Sequence, residues 1–70
     1  MAKIHIELEQ LMADKNISLN ELSERVGITN VNLSKLKNNR VSAIRFSTLL
    51  KLCEVLDCEP GDIIRYVEVD

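Results

Sequence analysis

Ser18-Leu19-Asn20-Glu21-Leu22-Ser23-Glu24-Arg25-Val26-Gly27-Ile28-Thr29-Asn30-Val31-Asn32-Leu33-Ser34-Lys35-Leu36-Lys37-Asn38 is the stretch whose reading decides the fold. Ser18, with Glu21 three positions on, is a capping box and starts a helix. Leu19, Leu22 and Val26 recur at helical spacing, and Gly27 supplies the left-handed residue that closes the helix. Thr29 is an N-cap for a following helix, which carries Leu33 and Leu36 inward. Asn38-Asn39, which tolerate the left-handed conformation, stop it. Between the two helices only Gly27-Ile28-Thr29 remains, too little chain for antiparallel packing, so the pair must cross steeply, as in a helix-turn-helix. Ser23 is small where the helices would approach, and Leu22, Val26, Ile28, Leu33 and Leu36 are apolar where that crossing needs contact. Such spacing also occurs in helical hairpins that bind nothing, so function needs further support.

Outward from this unit the pattern stays mostly helical. Leu8, Leu11 and Met12 share one face of a first helix that runs from about Glu7 to Lys15-Asn16. A loop from Arg40 to about Arg45 leads to a fourth helix, about Arg45 to Asp57. Its apolar Phe46, Leu49, Leu50, Leu52, Cys53 and Leu56 predict the central core helix. Pro60 opens a short last helix through Ile64, with Glu59 and Asp62 near its positive end. At the termini Ala2-Lys3-Ile4-His5-Ile6 and Tyr66-Val67-Glu68-Val69 alternate apolar and polar, the period of short strands. The expected fold is all-α, five helices with short terminal β-strands, as one domain over residues 1–70.

Seventy residues leave no room for a second domain. A domain this small buries only about 60% of the surface its unfolded chain exposes, which disfavours an enclosed catalytic cleft. Two cysteines, Cys53 and Cys58, lack the partner cluster of a zinc site or a disulfide framework and read as buried small hydrophobes. His5, the only histidine, has no triad or ligand set around it. No metal, no cofactor and no enzymatic activity are therefore expected. Neither a membrane-length apolar run nor a signal-peptide pattern is present, so the expected compartment is the cytoplasm and no membrane partner is expected.

Net charge is −2, yet the signs are sorted along the chain. Residues 1–28 carry three basic and five acidic side chains, for −2, and residues 52–70 carry Arg65 against six acids, for −5. Between them, residues 29–51 carry Lys35, Lys37, Arg40, Arg45 and Lys51 with no acid at all, for +5. An otherwise acidic protein thus has one surface suited to a polyanion.

The segment Ile17 to Thr29 resembles the second helix and turn of the Cro and CI-type helix-turn-helix regulators of phage and bacteria. Leu49-Leu50-Lys51-Leu52-Cys53-Glu54-Val55-Leu56 with Pro60-Gly61-Asp62-Ile63-Ile64 resembles their fourth and fifth helices. The likeness spans about residues 6 to 64 and is greatest to the short single-domain members of the YozG-like kind. It implies a five-helix, lambda-repressor-like DNA-binding domain whose third helix enters the major groove, commonly as a dimer. Departures are informative. An Arg in the first helix and a Glu near the end of the third, paired in many members, are here Met12 and Lys37. Ser23 replaces the commoner Ala, Asn39 stands where Gly is usual, and Arg45 stands where an N-capping Ser or Asp is expected.

On this reading Asn30, Val31, Asn32, Ser34 and Lys35 are the base-contacting residues. Asn bonds adenine N6 and N7 together, Lys donates to guanine O6 and N7, and Val meets a thymine methyl. The alternatives are solvated helix-start residues for Asn30 and Asn32, and a peripheral core or dimer contact for Val31. Ser18, Thr29, Lys37, Asn38, Arg40 and Arg45 are the expected phosphate contacts, at helix ends and in the basic loop. Lys51 is equally well a solvated lysine. With Phe46 and Tyr66 the only aromatics, no stacking platform for single strands or RNA exists, which favours duplex DNA.

A repressor that occupies an operator is the leading expectation. Its alternative is a protein-interaction module, an antitoxin or antirepressor that keeps the helix-turn-helix as a scaffold; an acid-free third helix favours DNA. Two half-sites require two copies, and the terminal strands are the chain left over to join them, through Ile4, Ile6, Tyr66, Val67 and Val69. The competing arrangement is an intramolecular strand pair that caps the core of a monomer.

Overall fold

The structure, a computed structural model, describes residues 1–69. In chain order the elements are β1 (Ala2–Ile6), α1 (Leu8–Lys15), α2 (Leu19–Val26), α3 (Asn30–Lys37), α4 (Phe46–Leu56), α5 (Pro60–Ile63) and β2 (Ile64–Glu68). Each boundary has a local cause. Ser18 Oγ accepts the Glu21 N–H at 3.1 Å to open α2, and Thr29 Oγ1 accepts the Asn32 N–H at 3.1 Å to open α3. Only that half of the expected capping box forms at Ser18, because the Glu21 carboxylate turns to Arg25, 3.8 Å away. Helix ends close through left-handed residues: Asn16 after α1, Gly27 after α2, Asn39 just past α3 and Asp57 after α4.

The core draws on every helix. Leu8 of α1, Leu22 of α2, Leu33 of α3, Leu52 and Leu56 of α4 and Ile63 of α5 are all fully buried, and Met12, Val26, Leu36 and Ile6 close around them. Each such side chain contributes about 1.5–3 kcal/mol by leaving water. These residues hold α2 and α3 together across the turn and set α2 onto α4 and α3 onto α1.

The fourth helix is only partly the core helix its composition predicts. Leu52 and Leu56 are buried, but Phe46 is 87% exposed and Leu50 is 60% exposed. At about 100° per residue Phe46 stands about 240° around the axis from Leu52, so the core cannot cover both. At its end Cys58 N–H bonds the Cys53 carbonyl at 3.1 Å, the closure that brings the side chains of those two positions together. Burial first, and the neighbouring Cys53 second, push the Cys58 thiol up, which keeps it protonated.

β1 and β2 pair antiparallel within one chain, with Ile4 opposite Tyr66 and Ile6 opposite Ile64. Of the two arrangements open from sequence, this is the intramolecular one. Glu7 N–H bonds the Ile63 carbonyl at 2.8 Å and Val69 N–H bonds the Met1 carbonyl at 2.6 Å, so the ribbon is tied at both ends. Ile4, Ile6, Ile64 and Tyr66 share one face, since cross-strand partners and alternate residues point the same way. The ends of that face differ. Ile6 is buried in the protomer's own core, which removes it from the surface expected to meet a second copy, whereas Ile4 and Tyr66 are 62% and 68% exposed. Val67 is half-buried on the opposite face, and Val69 lies past the end of β2, exposed.

Gly27 closes α2 at φ 87° with nothing within 4 Å of where a Cβ would stand. Its substitution is therefore a conformational and not a steric test. Gly27→Ala should cost about 1–2 kcal/mol, measured by urea unfolding, with an unchanged denaturant slope.

Candidate nucleic-acid interface

Burying Leu33 and Leu36 fixes which way the rest of α3 points. Val31, 64% exposed, and the exposed Asn32 and Lys35 form the outward face, with Ser34 half-buried at its side. Asn38 caps the helix and its Nδ2 donates to Ser34 Oγ at 3.2 Å, so these two polar side chains form one unit on the surface. Beside this face runs a groove of about 330 Å³, floored by Ile28 and Leu36. Asn32 and Lys35 border it on one side, Arg45 and Thr48 on the other. The acid-free segment thus has a surface in which α3 and the loop before α4 lie side by side.

The expected phosphate-contacting residues separate into two groups. Ser18 and Thr29 each use an oxygen lone pair to accept a backbone N–H. Capping leaves the hydroxyl proton free to donate, so capping and phosphate binding do not compete. Arg40 and Arg45 are exposed at the two ends of the loop. Arg45 occupies the N-cap of α4 with φ −73° and ψ 141° and makes no side-chain cap bond, as its identity predicts.

Lys37 leaves the group. Two residues from Lys35 it points about 200° away around the helix, and it lines a cleft with His5, Glu7, Glu9 and Gln10 instead of the basic face. Position along the chain groups Lys37 with the basic loop, whereas the helical angle sets it apart from the Lys35 face. Lys51 lies 3.9 Å from Glu54, an exposed pair that accounts for it as a solvated lysine.

Asn30 has partners within the protein. Its Nδ2 donates to Asn20 Oδ1, and its Oδ1 accepts from the hydroxyl of Ser23, which is also 2.9 Å from the Asn20 carbonyl. Ser23 is buried and Asn20 exposed. The first residue of α3 is therefore tied by side chains to α2 across the turn, and Asn20 joins the surface group without having been singled out from the sequence. A signal was there: Asn20 and Ser23 stand three apart on one α2 face, directed at the turn, where apolar residues would be expected if only packing mattered.

Two short helices joined across a left-handed glycine and a capping threonine, the second with an acid-free polar face beside two arginines, define a helix-turn-helix protein of the DNA-binding class. Comparison with known proteins gives the family. The chain belongs to the Cro/C1-type HTH DNA-binding domain family, whose model matches residues 7–68. It is 52% identical over 63 residues to the HTH-type transcriptional regulator YozG of Bacillus subtilis (strain 168), a match covering 90% of this chain and 75% of that one. Among solved structures it is similar to the transcriptional regulator VanUg, with TM-score 0.76 and 30% identity over 97% of this chain and 89% of that one. The master regulator for biofilm formation SinR, solved in complex with DNA, superposes with TM-score 0.71 and 30% identity, over 77% of this chain and 86% of that one. The chain is thus of a family of DNA-binding transcriptional regulators and not an enzyme. No helix among the described residues is long and apolar enough to cross a membrane.

The uncapped start of α4 generates a stability test. Arg45→Asp replaces a cation at the positive helix end by a residue that accepts the free N–H groups, with backbone angles already suited to a cap. It should raise unfolding stability by about 1 kcal/mol, read as a higher midpoint in urea.

Proposed function

We propose that this protein is a sequence-specific duplex-DNA-binding regulator that reads the major groove with α3. The observation that carries the reading is the outward face Val31, Asn32 and Lys35, polar but for one β-branched side chain and free of acids, with Arg45 across the groove from it and Arg40 exposed just past the end of α3. Val31 gains nothing from solvent exposure, and a thymine methyl would cover it. Asn32 and Lys35 match adenine and guanine edges, with Ser34 beside them; Asn30, held by Ser23 and Asn20, presents its remaining amide hydrogen at the same end. Ser18, Thr29, Asn38, Arg40 and Arg45 hold the backbone. That a neighbour of similar fold, SinR, was solved in complex with DNA supports the same ligand. The absence of acidic residues from α3 speaks against the reading as a protein-binding scaffold.

The regulator acts as a repressor, occupying an operator that polymerase or another factor needs, and it works in the cytoplasm with its DNA. One α3 contacts few base pairs, and two copies about 34 Å apart read two half-sites on one side of the duplex. We place the dimer contact on the terminal ribbon, where the exposed Ile4 and Tyr66 adjoin each other and, among the described residues, no third strand covers either edge. Ile4→Glu or Tyr66→Glu should give monomers by light scattering, while Phe46→Glu on α4 should leave the dimer intact; the reverse pattern would move the contact to α4.

Selection of bound fragments from a random duplex library, at stated salt, tests the reading as a whole. A folded protein that enriches no motif would overturn it. Within the selected site, Lys35→Ala should cost about 1–3 kcal/mol and little on random duplex, since alanine is as good a helix former and only a base contact is lost. Arg40→Ala should weaken binding to both DNAs alike and reduce the slope of log K against log salt by about 0.9.

A further inference from the structure

Beyond the packing of Ile6 into the core, one side chain hydrogen-bonds the terminal ribbon to the end of the helix-turn-helix unit. Ile6 N–H donates to Asn39 Oδ1 at 2.6 Å, and Asn39 Nδ2 donates to the Ile6 carbonyl at 3.2 Å. Both backbone polar groups of Ile6 are therefore met by a single carboxamide, which sits on the open edge of β1 as the peptide of a third strand would. Among the described residues no other hydrogen bond links either strand to residues 18–45.

The other side of Asn39 belongs to α3. Asn39 N–H bonds the Leu36 carbonyl at 3.1 Å and Arg40 N–H bonds the Lys35 carbonyl at 2.8 Å, the paired closure of a helix end. It needs a left-handed residue, and Asn39 has φ 60°. Glycine would meet that need at least cost, and asparagine is among the few others that do. Only asparagine also brings a donor and an acceptor to Ile6. Backbone locked to the reading helix and side chain locked to the ribbon, Asn39 is a bridge one residue long. Asn38 and Arg40, its neighbours, are in the group read as backbone-gripping.

We propose that Asn39 is a positioning residue that fixes the ribbon at the end of α3, so that in a dimer joined through the ribbon the separation and twist of the two reading helices, and hence the preferred half-site spacing, are set by this clamp. The inference rests on the ribbon-mediated dimer of the preceding section. A residue that merely supported folding would lower stability and leave the spacing preference as it was; a clamp between dimer arm and reading helix would change the spacing preference whatever its loss costs in stability.

The test uses the full chain and duplexes carrying two selected half-sites at graded spacings, with a single half-site duplex beside them. One base pair of added spacing rotates a half-site by about 34°, so the parent chain should prefer its best spacing over its neighbours by about tenfold or more. Asn39→Gly keeps the left-handed backbone and removes the clamp. It should remain helical by circular dichroism and dimeric by light scattering, bind the single half-site within about twofold of the parent, and discriminate between spacings by less than about threefold. Asn39→Asp, which keeps an acceptor for Ile6 N–H but loses the donor, serves as the second variant and should fall between the two. Unchanged discrimination in both variants would overturn the inference, as would parallel losses on single and paired half-sites, which would put Asn39's effect inside α3. A parent chain that is monomeric and indifferent to spacing overturns the dimer reading, and this inference with it; a spacing-selective dimeric parent with unaffected variants overturns the inference alone.

Discussion

The rest of the molecule depends on the turn between α2 and α3. Gly27 takes a backbone angle that a side chain would resist, and Thr29 supplies the oxygen that starts the next helix three residues later. With so little chain between them, the helices have few ways to bury Leu22 and Val26 of one with Leu33 and Leu36 of the other. Once those four are inside with Leu52 and Leu56, the outward face of α3 is determined. Val31, Asn32 and Lys35 are exposed because two leucines at helical spacing cannot be.

Electrostatics then distinguishes that face from the rest of an acidic surface. The segment 29–51 carries five cations and no acid, but its charges are not used alike. Lys51 sits near Glu54 and Lys37 turns toward α1 and β1, which leaves Lys35 and Arg45 lining the groove and Arg40 exposed at the start of the loop. Arg45 also leaves the start of α4 without a side-chain cap, a local cost in helix stability. A residue that weakens its own helix end while adding charge to the basic face is better explained by an anionic ligand than by stability.

What the sequence made legible is what local chemistry decides. Helix bounds followed from Ser18, Thr29, Gly27 and Pro60, and the inward residues of α1, α2 and α3 from their spacing, because caps and periodicity act over a few residues. Less could be read wherever the answer depends on what lies opposite. Six apolar residues on α4 suggested a central helix, yet the molecule has too little protein to cover all of them, and Phe46 and Leu50 stay in water. Strand alternation at the two termini was visible, but alternation is the same whether the partner is in the same chain or in another. Lys37 parts from the other cations for a simpler reason, the helical angle between it and Lys35. The Asn39 clamp has no sequence signature, since it joins residues 33 apart through a side chain whose type is equally suited to ending a helix.

Asn30 shows how such tertiary hydrogen bonds bear on recognition. Its ties to Ser23 and Asn20 could be taken to remove it from the surface, since a carboxamide bonded within the protein has fewer groups to offer a base. The amide still has a second hydrogen on Nδ2 and a second lone pair on Oδ1. A side chain held in one orientation loses less entropy on binding than a free one, and it presents its remaining donor and acceptor at a fixed angle. The cost is adaptability: the amide cannot turn without breaking its bonds to α2, so under the proposed reading a base whose edge does not match that angle would be rejected. α3 is tied by side chains at its start to Asn20 and Ser23 and at its end through Asn39, and under the proposed reading such ties would raise discrimination between sequences more than affinity for any one of them.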